Sequence, residues 1–335
     1  TKYLTNINPG NANGLTPLHV AAIKGHLSIV EYFVENLNEI NPATGTLYSN
    51  WTPFHMAAQK GYLDIVQYYL EQLPMTNKNP GINGSDVRRQ GTTPLHLAAS
   101  NGYLDIVQAI TKYLTNINPW DANGSTPLHL AAREGHLSIV KHFVENLNDI
   151  NPAAGALYLT PFHFAALNGH LNVVEYYLGQ LQMSNKNPGL NGSDVISQGT
   201  TPLHLAASNG YLDIVQAITK YLTNANPEFG DGCTVLHEAV RNNQLPIVEY
   251  LVANLDDYNP ATCDEYQDET LIGYGYSPLH TAAYKGHIDI VQFFVNRLEE
   301  VNSPTTDSRG SNWTPLHVAS ANDKLSVVKY LTEKV

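Results

Sequence analysis

A four-residue word, Thr-Pro-Leu-His or a close variant, begins at residues 16, 52, 93, 126, 160, 201, 234, 277 and 314 of this 335-residue chain. Each copy leads into an Ala-Ala stretch, a glycine or its stand-in, and an apolar run such as LSIVEYFVENL. The words are 33 to 43 residues apart. Self-similarity at that period marks stacked units that bury their apolar faces only against neighbours. Length then sets no ceiling on the array, and the hydrophobic content of 43% is ample for a continuous core. Stacked units present surfaces more often than pockets, so the functional question becomes which surface is used.

Residues 14–41 show how one unit is built. Thr16 is a good N-cap, because its hydroxyl can accept from a free N–H two or three residues on. Pro17 follows at the first helical position, where its missing N–H costs nothing. Leu18, Ala21 and Ala22 form a short apolar stripe, and Gly25 can take the left-handed conformation that ends a helix. A second helix runs from about Leu27 to Leu37, with Leu27, Val30, Val34 and Leu37 at spacings of three and four, and Ile29 and Phe33 widen its buried face. Pro42 stops it. Asn123-Gly124 and Asp231-Gly232 suit a tight hairpin just before a helix. The unit reads as turn, short helix, longer helix, loop.

GLTPLHVAAIKGHLSIVEYFV at 14–34 and GSTPLHLAAREGHLSIVKHFV at 124–144 closely resemble the ankyrin-repeat word, and nine matches in register span essentially the whole chain. The resemblance implies an all-α ankyrin-repeat solenoid: helix–turn–helix units with hairpin-like loops, in a curved stack with a concave groove. Residues 1–335 read as one array, with 1–9 as the end of a preceding repeat, because TKYLTNINP at 1–9 recurs at 111–119. Departures are local. Val235 replaces the proline, Ser277 the threonine and Ser320 an alanine, and Asn243 and Asp323 stand where the helix-ending glycine is expected. Slightly looser or kinked units are expected there.

The three-repeat block 1–110 recurs as 111–218, and residues 92–116 reappear unchanged at 200–224. The copies differ at Ile23/Arg133, Lys24/Glu134, Glu31/Lys141, Gln59/Leu167, Lys60/Asn168, Arg88/Ile196 and Arg89/Ser197, all at positions predicted to face solvent or the groove. One scaffold therefore presents two different surfaces.

Of fourteen histidines, nine are the H of the word and four more (His26, His136, His170 and His287) follow the helix-ending glycine, leaving His142. The resemblance implies that the first set is structural, bonding to backbone of the neighbouring loop. Successive copies lie in adjacent repeats, too far apart to share a metal. No nucleophile elbow or phosphate loop occurs, so an enzyme, a metal site and a cofactor are not expected. The acidic stretch from Asp256 to Glu269 lacks the spacing and glycine of a calcium loop. Sequons at Asn50, Asn83, Asn123, Asn191 and Asn312 are about as many as chance provides. A net charge of −12 argues against a nucleic-acid partner, and no apolar run approaches membrane-spanning length. Two cysteines, Cys233 and Cys263, are too few for a disulfide framework and favour a reducing, cytoplasmic setting, with a Cys233–Cys263 bridge as the minor reading.

Function is expected at a protein-binding surface. The candidates are aromatics in the turns before the words (Trp51, Trp120, Tyr158, Tyr274, Tyr276 and Trp313), since Tyr and Trp offer large contact area for little entropy loss. Their bland reading is that they pack on the next turn and stiffen the stack. Variable first-helix positions join them: Lys24, Met56, Gln59, Arg133, Phe164, Arg241 and Tyr284. The alternative is a structural protein that stacks head to tail into a filament, possibly extracellular. Both ends keep apolar residues that a free-standing array would replace, Tyr3 and Leu4 at one and Leu325, Val328 and Leu331 at the other.

Overall fold

The computed structural model describes residues 7–44, 51–73, 91–154, 159–184, 200–222, 224–229, 233–255, 275–298, 304–305 and 312–334, apart from the side chains of 181–184. Residues 1–161 and 162–335 form two compact units. The first contains the helix pairs α1 (Pro17–Lys24) and α2 (Leu27–Asn36), α3 (Pro53–Lys60) and α4 (Leu63–Gln72), α5 (Pro94–Ser100) and α6 (Leu104–Thr111), and α7 (Pro127–Arg133) and α8 (Leu137–Asn146). First helices pack in the order α1, α3, α5, α7, and second helices follow as α2, α4, α6, α8.

The second unit repeats the scheme. It holds α9 (Pro161–Leu167), α10 (Leu171–Ser184), α11 (Pro202–Asn209), α12 (Leu212–Thr219), α13 (Val235–Arg241), α14 (Leu245–Ala253), α15 (Pro278–Lys285), α16 (Ile288–Val295), α17 (Pro315–Ala321) and α18 (Leu325–Lys334). The odd-numbered helices α11 to α17 pack in series, and so do the even-numbered α10 to α18. Each unit is a helical solenoid. The one strand pair among the described residues is β1 (Glu228–Phe229) with β2 (Cys233–Thr234), antiparallel across the Asp231-Gly232 turn predicted as a hairpin.

The sequence word explains where each first helix starts. At α5, Thr93 Oγ1 accepts from His96 N at 3.4 Å, while Thr93 N donates back to His96 Nδ1 at 3.2 Å. That reciprocal box satisfies two of the otherwise unpaired N-terminal groups. A second cap is absent from the word itself. Asn8, Asn118 and Asn226, each followed by proline, accept from Leu18 N, Leu128 N and Leu236 N at 3.1, 3.1 and 2.9 Å. Ala-Ala lets neighbouring first helices approach closely, and Ala21, Ala22, Ala57, Ala58, Ala98 and Ala99 are all buried.

The helix-ending glycine has two reasons to be glycine. Gly61 has φ +82, and a Cβ there would lie 2.7 Å from ring atoms of Tyr103, the residue that begins the second helix of the next repeat. Gly102 stands in the same relation to His136. Where glycine is missing, Asn243 (φ 58) and Asp323 (φ 56) adopt the left-handed backbone themselves, which Asn and Asp tolerate better than other side chains. The helix start of α13 keeps its Thr234–His237 box despite Val235.

Cys233 is fully buried and in a disulfide bond; Cys263, the other cysteine of the chain, lies outside the described residues. The bond removes the argument for a reducing compartment that rested on cysteine count.

Replacing Gly61 with Ala should cost at least about 1–2 kcal/mol from the left-handed backbone alone, and more because the Tyr103 ring must move. Gly179→Ala is the contrasting case, since this helical glycine has open space around its Cβ position. It should gain about 0.5–1 kcal/mol. Urea unfolding midpoints of the two variants, read against the unmodified chain, check both signs.

Candidate functional site

In each repeat the word histidine is held at both ring nitrogens. Nδ1 accepts from the threonine N–H, so the neutral tautomer carries its hydrogen on Nε2 and donates it to a backbone carbonyl in the next repeat. His19 thus reaches Trp51 O at 3.2 Å, His55 reaches Thr92 O at 3.2 Å and His96 reaches Ser125 O at 3.3 Å. In the second unit His163 reaches Thr200 O at 3.1 Å, His237 reaches Tyr276 O at 3.0 Å and His280 reaches Trp313 O at 3.0 Å. Burial dominates the titration of these rings. It lowers His96, His129, His163 and His204 from 6.5 to about 4. A buried, doubly bonded, neutral imidazole has no lone pair to offer a metal or a substrate. His142, outside the repeat word, pairs with Thr111 Oγ1 at 3.1 Å, and burial lowers its pKa too. Among the described residues no three His, Cys, Asp or Glu side chains gather as a metal site requires, and no helix is long and apolar enough to cross a membrane.

The same network claims several of the turn aromatics. Trp51 stacks on His55 at 6.4 Å and 9°, Tyr276 on His280 at 5.6 Å and 18°, and Trp313 packs at a tilt on His317 at 6.2 Å. Tyr276 retains only 4% exposure, and burial, with a lesser contribution from Tyr284, pushes its pKa up to about 12. Trp120 differs: it is 51% exposed while touching His129 at 5.9 Å.

The last turns of the first helices carry the remaining polar groups. In the second unit Arg241 Nη1 pairs with Glu238 Oε1 at 2.9 Å, and Arg241 Nη2 contacts Cys233 Sγ at 3.6 Å. Lys285 lies over the Tyr284 ring at 5.6 Å. Its pKa is lowered, first by partial burial and then by Arg241 and Lys324, with Glu238 opposing. Three cations from three successive repeats therefore sit within electrostatic reach of one another. In the first unit Arg133 pairs with Glu134 at 2.9 Å, both exposed.

A sequence model of ankyrin repeats in three copies matches residues 1–80, 71–154, 162–262 and 259–335. The chain belongs to the ankyrin-repeat family. None of the curated proteins compared with the chain matches it. The family is typically non-catalytic and serves protein–protein interaction.

Within the ankyrin frame the candidate residues separate clearly. Lys24, Arg133 and Trp120 are exposed, and Gln59, Phe164, Arg241, Tyr284, Trp51 and Trp313 are partly so. Met56 at 3% and Tyr276 at 4% are corrections: neither leaves surface for a partner, because Met56 is covered within the packed row of first helices and Tyr276 by the His280 stack. Leu331 is also corrected as an end-stacking residue, since at 1% exposure it is buried as its counterparts Tyr69 and Phe294 are. Tyr158, Tyr274, Tyr3 and Leu4 lie outside the described residues. Sequence reading passed over Glu238, Lys285 and Lys324 as a group. The signal was available, because Glu238 is the only acidic residue directly after a word histidine.

The neutral histidines set a pH dependence. Each of the four titrates near 6.5 when unfolded and about 4 when folded. The unfolded chain therefore binds more protons between those values, so this stability is complete above 6.5 and drains as pH falls toward 4. Each shift corresponds to about 3 kcal/mol at full extent. Urea midpoints should fall steadily between about pH 7 and about pH 5, and a flat profile would contradict neutral, buried imidazoles.

Proposed function

We propose that this ankyrin array is a non-catalytic protein-binding module whose contact surface is the face presented by the first helices and the turns before them. In residues 162–335 that face receives an acidic segment of the partner through Arg241 and Lys285. The observation carrying this reading is the cationic group of Arg241, Lys285 and Lys324 in a chain with net charge −12. Like charges held close raise the local potential and favour a carboxylate-bearing ligand. Thr281 shares a helix face with Tyr284 and Lys285 and is buried with its hydroxyl unpaired, so a hydrogen-bonding group lies beside the charges. Trp120 supplies an exposed aromatic anchor in the first unit.

Proximity labelling identifies the partner, and titration calorimetry with the purified partner tests the surface. The double variant Arg241→Ala/Lys285→Ala should weaken binding about tenfold or more, with a shallower salt dependence. Glu175→Ala, an exposed position on the outer second helix α10, should leave the affinity unchanged. Equal effects of the two variants would remove the first-helix face from consideration.

A further inference from the structure

The two outermost described repeats leave complementary groups unfilled. Repeat one exposes positions that every other repeat buries. Ile29 is 46% exposed, whereas Ile65, Ile106, Ile139, Ile214 and Ile290 at the same place are 0% exposed. Phe33 is partly exposed where Tyr69, Phe143 and Phe294 are fully buried, and Val20 is 43% exposed where Met56 is 3%. Together with His26 these residues line an open apolar cavity. The last repeat shows the converse side. Leu325 is 60% exposed, Val328 is partly exposed where Val66, Val107 and Val291 are 0%, and His317 is exposed where the other word histidines are buried.

Polar groups match as well. Between internal repeats one bond runs forward, from the word histidine Nε2 to the carbonyl before the next word. That carbonyl also accepts from its own turn, as Ser125 O does from Asp121 N. Leu15 O accepts from Asn11 N in the same way, and His317 Nε2 has no acceptor. A second bond runs backward: His287 Nε2 donates to Arg241 O at 3.2 Å, two residues before the left-handed Asn243. His136 reaches Ser100 O likewise. The left-handed Asp323 puts Ala321 O in the equivalent place, and His26 is the equivalent exposed donor.

We propose that the first repeat receives the last repeat of a second copy of this chain, head to tail. Ile29, Phe33 and Val20 pack against Leu325 and Val328, His317 donates to Leu15 O, and His26 donates to Ala321 O. The junction reproduces the bonding that joins internal repeats, with the Asn243–His287 contact as the pattern for Asp323 and His26. The contact is heterologous, since each copy keeps one face of each kind for further copies.

Sedimentation equilibrium over a wide concentration range tests this. The unmodified chain should grow in weight-average mass with concentration. Ile29→Lys and Leu325→Glu, both at exposed positions, should each stay monomeric while a far-UV thermal scan shows each folded. The decisive sample is their equimolar mixture. The intact last repeat of the Ile29→Lys chain meets the intact first repeat of the Leu325→Glu chain, so the mixture should give a dimer and stop there. A strictly monomeric unmodified chain, variants that assemble as the unmodified chain does, or a mixture that stays monomeric would each overturn the proposal.

Discussion

Threonine N–H donates to the histidine Nδ1 three residues on, at 3.2 Å in Thr16, Thr52, Thr93 and Thr126. That donation fixes the tautomer, and the tautomer fixes what the other nitrogen must do. Nε2 has to donate, and the available acceptor is a carbonyl in the next repeat. A local helix cap and a contact between repeats are thus two ends of one ring. Losing the ring would expose two unpaired backbone groups in different repeats, and leaving buried polar groups unpaired costs more than a paired bond gains. This is why a short, weakly nucleating helix of seven or eight residues is well defined here. Its start is held by its neighbour.

The same constraint decides what the chain cannot do with its histidines. Thirteen of fourteen sit at fixed places in the repeat, and those of the word are consumed by the architecture. Burial holds His96 and His163 near 4, far from the range where imidazole exchanges protons at neutral pH. Chemistry is displaced from the repeated residues to those that vary.

Periodicity made the helices, their caps and their stacking order legible, because each rests on residue types at fixed spacing. The turn aromatics were less legible. Trp51, Tyr276 and Trp313 differ in nothing obvious from Trp120 in sequence, yet three pack on a word histidine of their own repeat with little or partial exposure, and Trp120 keeps half its surface. What separates them is spacing to the histidine. The stacked three lie four residues before it, and Trp120 lies nine before His129. Met56 misled for another reason. The position after the word histidine faces the next first helix as well as the open side, so its exposure depends on the neighbour's side chain. The Asn-Pro caps were visible as a recurrence, but their acceptor role depends on a ten-residue return that local pattern does not reveal.

Cations at the last turns of α1, α3, α7, α13 and α15 have an ordinary explanation. They complement the helix dipole, an effect of about 0.3–1 kcal/mol at an exposed terminus. That accounts for Lys24 or Lys60 standing alone. It does not account for Lys285, whose charged form is disfavoured by Arg241 and Lys324 beyond what the single nearby carboxylate of Glu238 relieves. Repulsion among the three works against the dipole benefit, so stability alone gives no reason to crowd them. Glu238 is already engaged by Arg241 at 2.9 Å, which leaves the other two cations without a carboxylate of comparable proximity. An acidic ligand on this face would relieve the repulsion, and the binding free energy would draw on an unfavourable interaction already present in the free protein.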